Sequence, residues 1–230
     1  MPEWQAETFK KAGAKLSEAF RGGAARRKAA MSFARRHDLI YFRTVRQGSP
    51  STPVIRGSTT SKDQVDLNYC IGSHADYDMA LVERIGSVEF FGYKTTIHRW
   101  YVLQIDLKQA HNLPYIFLGN KQQTKAYYAR ILTAHREARY LTLNSAASGD
   151  AAFHATYALL ASPADLPLLY RLFTDEAIDA IAMHKHPFAI EVEGDGVMII
   201  TEAKKASEQL LDELLHYGLW VAKAIDSRLA

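Results

Sequence analysis

The segment from Ala206 to Leu229 constrains the fold more than any other part of the chain. Leu210, Leu211, Leu214, Leu215, Tyr217, Leu219, Trp220, Val221 and Ile225 recur there at helical spacing and make a broad apolar stripe. A helix with so wide an apolar face must bury it against a sheet or a partner. The chain also supplies the sheet. From His98 to Leu107, Tyr101, Leu103, Ile105 and Leu107 fall on one face, and His98, Trp100, Val102, Gln104 and Asp106 on the other. Val88–Thr96 is a second long, aromatic-rich run beside it.

Further strands are expected at Leu39–Val45, Val65–Ile71, Met79–Ile85 and Tyr115–Leu118, with weaker signals at Tyr140–Leu143 and His154–Leu160. In Val65–Ile71 the apolar Val65, Leu67, Tyr69 and Ile71 alternate with Asp66, Asn68 and Cys70. Gln47–Pro53 reads as a loop, and Gly72–Asp78 as a turn. Phe188–Glu193 and Val197–Thr201 form a hairpin through Gly194-Asp195-Gly196, because Asp-Gly accepts positive φ. Helices are expected over residues 122–137, over Leu166–Phe173, and after Thr174, which can cap a helix that has Asp175 and Glu176 in its first turn. Strands gathered early, helices late and no βαβ alternation point to an α+β fold. The expected architecture is a mostly antiparallel sheet packed against the long C-terminal helix.

The N-terminal region is different in charge. Residues 1–50 carry eleven basic and four acidic groups, a net of +7, whereas the remaining 180 residues carry a net of −4. Phe9, Leu16, Phe20, Ala24, Met31 and Ala34 recur near helical period, with a break expected at Gly22-Gly23 and a second helix from Ala24 to about His37. The chain therefore divides into a basic helical segment, 1–38, and an α+β body, 39–230. No apolar run approaches the roughly 18–20 residues of a membrane span. A single cysteine, Cys70, fits a reducing compartment. The expected location is cytoplasmic, with peripheral contact to a membrane.

Several short segments, in this order along the chain, resemble those of one group of proteins. These are Phe33-Ala34-Arg35-Arg36-His37-Asp38-Leu39, Val54-Ile55-Arg56-Gly57, Gly92-Tyr93-Lys94-Thr95-Thr96-Ile97-His98-Arg99-Trp100, Leu113-Pro114-Tyr115-Ile116 and Phe173-Thr174-Asp175. Together, over about residues 30–225, they look like an uncharacterised family of bacterial hypothetical proteins. Many members of that family carry N-terminal transmembrane helices. The resemblance implies proximity to a membrane. It carries over no catalytic residue, because the family has no assigned activity.

Motifs that would fix a reaction are absent: there is no GxGxxG, Walker loop, HExxH, CxxC or GxSxG. His184 and His186 flank Lys185 at a spacing that suits a metal, but zinc needs further ligands that no spacing supplies. Asp76-Tyr77-Asp78 has a cation-binding form, yet it reads more simply as a turn. Glu191 and Glu193 share a strand face and read as its solvated side. Cys70 reads as a small buried hydrophobe rather than a nucleophile paired with His74. Phe90, Phe91, Tyr93, Trp100 and Tyr101 read as core and cross-strand pairs rather than stacking platforms. No metal and no cofactor is expected.

Function is therefore sought in the basic segment. Lys10, Lys11, Lys15, Arg21, Arg26, Arg27, Lys28, Arg35 and Arg36 are the candidates for contact with an anionic membrane surface or an acidic protein partner. Lys94, His98, Arg99, His184 and His186 are the candidates for a ligand surface. The expectation is a non-catalytic binding or scaffold domain. The alternatives are an enzyme acting on an anionic substrate and a nucleic-acid binder, the latter disfavoured by the acidic body.

Overall fold

The computed structural model describes residues 23–45, 55, 57–60, 64–88, 96–109, 112–123, 125–203 and 205–230. The expected helix before Gly23, the Gln47–Pro53 loop and Phe90, Phe91, Tyr93 and Lys94 lie outside the described residues. Six helices and nine strands are described: α1 Gly23–Arg36, β1 Ile40–Phe42, β2 Val65–His74, β3 Tyr77–Val88, β4 Thr96–Asp106, β5 Leu113–Asn120, α2 Lys125–Ala134, β6 Arg139–Leu141, α3 Asp150–Thr156, β7 Tyr157–Ala161, α4 Leu166–Leu172, α5 Asp175–Met183, β8 Ala189–Gly194, β9 Gly196–Glu202 and α6 Glu208–Leu229.

The strands form one sheet in the order β1-β2-β3-β4-β9-β8-β5-β7-β6, and every pair is antiparallel. This is an α+β fold with its sheet packed on the long C-terminal helix. The sheet has apolar layers on both faces. On one, α1 and α3–α6 cover Leu81, Tyr101, Leu103, Ile105, Leu118 and Ile199. On the other, α2 and the Ile55 segment cover Val82, Trp100, Val102, Phe117 and Ile200. The face of β4 expected to be partly wet is thus dry at Trp100 and Val102.

The long helix lies where its stripe predicts. Ser207 caps α6 by accepting from the Leu210 N–H at 3.0 Å. Gly218 lets the helix approach closely: a Cβ there would lie 2.9 Å from Leu103 Cδ2 and 3.0 Å from Ile105 Cδ1. α1 joins the same core through Ala29, Ala30, Phe33 and Ala34, at i, i+1, i+4, i+5 spacing. It ends with Asp38 at φ 55°, and the Leu39 N–H returns to the Ala34 carbonyl at 2.8 Å.

Three local expectations need correction. Residues 150–156 are helical, so the strand expected from His154 begins only at Tyr157. The preceding seven residues, Asp-Ala-Ala-Phe-His-Ala-Thr, are rich in alanine and open with an acidic residue, which suits a helix, and the apolar run from Tyr157 sets the strand. The turn expected over Gly72–Asp78 contracts to Ala75-Asp76, both at positive φ (51° and 62°), with strands running up to it on either side. In β2 the register shifts between Leu67 and Cys70, where Asn68 takes φ 53°. The polar Asp66 and Asn68 are buried, as is Cys70.

Candidate functional site

The cations of α1 divide into two sets. Arg26 faces inward and is buried, with its Nε 2.8 Å from Glu83 Oε1. Arg99 from β4 forms an ion pair with the same carboxylate. Asn68 Nδ2 donates to Glu83 Oε2 at 2.5 Å, and Tyr41 OH donates to Asn68 Oδ1 at 2.7 Å. This polar network ties α1, β1, β2, β3 and β4 together beneath the helix. At the C-terminal end, Arg36 Nη2 donates to both oxygens of Asp212 at 2.9 and 2.8 Å, and Arg36 Nη1 also reaches Glu208. His37 Nε2 lies 2.8 Å from Asp212 Oδ1. Burial pushes the Asp212 carboxyl up, but hydrogen bonds from His37 and Arg36 outweigh it and hold it below the usual range.

Arg26 and Arg36 therefore anchor α1 to the body; the burial of Arg26 corrects its reading as a contact residue, whereas Arg36 stays exposed. Arg27, Lys28 and Arg35 remain on the outer face, with half-exposed Met31 between them. Lys10, Lys11, Lys15 and Arg21 lie outside the described residues.

The described members of the second candidate set, His98, Arg99, His184 and His186, do not converge on one surface. His98 and Arg99 are adjacent in β4, so strand alternation sends their side chains to opposite faces. His98 stacks on Trp100 at 5.2 Å and bonds Glu202 Oε1 through Nδ1 at 2.9 Å, whereas Arg99 reaches Glu83. His184 packs on Tyr217, with ring centroids 4.5 Å apart, and its Nδ1 meets the His186 carbonyl at 2.8 Å. His186 Nδ1 pairs with Glu213 Oε2 at 2.6 Å. Among the described residues no group of three or more His, Cys, Asp or Glu is placed to hold a metal ion. Cys70 is buried with its thiol 3.5 Å from the Ala30 carbonyl, and burial pushes it up to about 12, far from thiolate chemistry at neutral pH. Tyr77, inside the Asp-Tyr-Asp segment, is buried and donates to Asp226 Oδ2 at 2.8 Å, while Asp76 and Asp78 are exposed at the turn.

The buried polar chemistry lies instead where no motif signals it. Arg84 on β3 is fully buried and paired side-on with Asp66, Nε to Oδ1 at 2.8 Å and Nη2 to Oδ2 at 2.9 Å. Its remaining N–H groups go to the Ile55 carbonyl at 2.8 Å and to the hydroxyls of Thr59 and Thr60 at 3.1 and 3.2 Å. Glu191, expected on a wet face, is fully buried. Both its oxygens accept from the Ser58 N–H at 2.9 Å, and Oε2 also accepts from the Ser58 hydroxyl at 2.7 Å. Ser58 Oγ and Tyr127 OH are 2.6 Å apart, and Arg130 Nη2 donates to the Ser58 carbonyl at 2.8 Å. Burial raises the Glu191 carboxyl, and the Ser58 bonds only partly offset it. Gly57, at φ +98°, is required here, because a Cβ would lie 2.7 Å from Met198 Sδ and 2.8 Å from Glu191 Oε2.

Arg84 and Glu191 thus clamp the 55–60 segment onto the sheet. The Tyr127 phenol, the Ser58 hydroxyl and the Glu191 carboxylate are hydrogen-bonded in sequence, and the carboxylate also holds the Ser58 backbone N–H. The spacing of the sequence offered one signal for this segment, a Gly-Ser-Thr-Thr run between strands, and none for its buried partners.

No protein-family model and no curated protein matches this chain. Among solved structures, the chain is similar to the crystal structure of the mycobacterial trehalose monomycolate transport factor A. That similarity has a TM-score of 0.56 at 13% identity and covers 89% of this chain and 94% of the other. At such identity it shows a shared fold. No helix among the described residues is long and apolar enough to cross a membrane.

Proposed function

We propose that this chain is a non-catalytic binding module that docks on an anionic lipid surface through the outer face of α1. One observation carries the reading: two arginines fix the helix to the body, while Arg27, Lys28 and Arg35 face away from it. Arg27, Met31 and Arg35 are spaced i, i+4, i+8 and so share one stripe of cation, apolar group and cation. The N-terminal residues 1–50, which include α1, carry a net +7 against a remainder of net −4. The fold neighbour's designation as a transport factor also supports a binding role rather than a chemical one.

Co-sedimentation of the full chain with phosphatidylserine and with phosphatidylcholine vesicles tests the reading. Basic groups near an anionic surface contribute about 1 kcal/mol each. Replacing Arg27, Lys28 and Arg35 together with Gln should weaken binding to the anionic vesicles on the order of a hundredfold. Binding should fall with salt and leave thermal stability unchanged, since the three side chains are exposed. Equal partitioning of variant and parent, or binding to neutral vesicles alone, would refute it.

A further inference from the structure

The turn between β5 and α2 stands between two adjoining grooves of about 490 and 410 Å³, and Gln123 lines both. Each is of a size that holds a small ligand. The first is edged by Asn120, Gln122, Thr201, Glu202 and His186. The second is edged by Lys121, Lys125 and the rings of Tyr128 and Tyr140. Tyr140 is 58% exposed on the outer strand β6, with its ring centroid 6.0 Å from that of Tyr128.

The chemistry of this lining narrows the ligand. Beside an apolar wall that includes Pro187, Ala189 and Ile200, three carboxamides and a hydroxyl offer donors and acceptors together. A hydrocarbon ligand would leave them unsatisfied. A metal is disfavoured, because His186 Nδ1 is taken by Glu213 and Glu202 is the sole carboxylate of the lining. A simple anion would face Glu202 in the first groove, and in the second Lys121 Nζ already bonds the His154 carbonyl, which leaves Lys125 as the one further cation of that lining. What remains is a ligand rich in hydroxyls that also presents a flat C–H face to an exposed aromatic ring.

We infer that this cleft binds a neutral saccharide, with one sugar ring against Tyr140 and its neighbour's hydroxyls on Gln122, Gln123 and Glu202. The inference is independent of the lipid-docking reading, because α1 contributes no residue to the cleft.

The test is an array of neutral mono-, di- and trisaccharides probed with the full chain, followed by NMR titration of the strongest binder. Saturable shifts at Gln122, Gln123 and Tyr140 are expected. Tyr140→Ala should weaken binding about tenfold, the scale of a lost aromatic contact. Gln123→Ala should weaken it as well, with far-ultraviolet dichroism unchanged in both. The Arg27/Lys28/Arg35 variant should bind the sugar like the parent, which separates this result from the vesicle experiment. Absence of binding across the array would overturn the inference. So would binding insensitive to both cleft substitutions, or retention of heparin alone in a salt-dependent manner.

Discussion

Replacing Asp66 with Ala should be among the most damaging single changes in this protein. The substitution removes both carboxylate oxygens from Arg84, which is fully buried and bonded to them at 2.8 and 2.9 Å. The guanidinium keeps the Ile55 carbonyl and the two threonine hydroxyls, but its charge is then uncompensated. Breaking one side of a buried pair costs about 3–5 kcal/mol. The hydrogen bonds that Tyr69 and Gln64 donate to Asp66 Oδ2, at 3.1 and 2.9 Å, are lost too. For a domain of this size each kcal/mol lowers the midpoint by about 2–4 °C, so a fall of roughly 6–20 °C is expected by calorimetry. The double change Asp66→Leu with Arg84→Met removes both charges and should be markedly less destabilised than Asp66→Leu alone. A drop below about 1 kcal/mol for Asp66→Ala would refute the reasoning, since exposed pairs lie in that range. Strict additivity of the two changes would refute it equally.

Two more outcomes follow from the same region. Burial raises the Glu191 carboxyl above its unfolded value, so the folded state holds its proton to higher pH. Its ionisation therefore costs stability as pH rises from the ordinary glutamate range through the raised folded value. Glu191→Gln should gain stability relative to the parent across that rise in urea titrations; a pH-independent difference would count against the account. Gly57→Ala should cost about 1–3 kcal/mol, because a positive φ and contacts of 2.7 and 2.8 Å meet the new methyl. Its signature is faster amide exchange at Ser58 and Thr59, and unchanged protection there would contradict the clamp.

The amphipathic segment from Ala206 and the alternation through His98–Leu107 were readable because helix and strand periods are local properties. The same holds for the Thr174 cap, whose hydroxyl accepts from the Ala177 N–H, and for the hairpin through Gly194-Asp195-Gly196, although the positive φ falls on Gly194 (+66°) and not on the Asp-Gly pair. Where two local signals overlapped, as at His154, periodicity could not separate the end of a helix from the start of a strand. The division of the α1 cations was half readable. Arg26 is in step with Ala29, Ala30 and Phe33 on the apolar side, so its inward direction was latent in the spacing. Its partner Glu83 lies on a strand far along the chain, and nothing local marks that strand as the one beneath the helix.

Sequence alone determined the class of the fold, the long terminal helix, the identity of most strands and the uneven distribution of charge. Each follows from neighbours along the chain. Tertiary structure alone decided that β9 and β8 stand between β4 and β5, that both faces of the sheet are covered, and that Asp66, Arg84 and Glu191 are buried. A carboxylate on a strand reads as solvated until the partner that would desolvate it is known. Here that partner is the 55–60 segment, which reaches Glu191 across more than a hundred residues of chain. Burial of a charge is a property of the pair, and the pair exists only once the chain has folded.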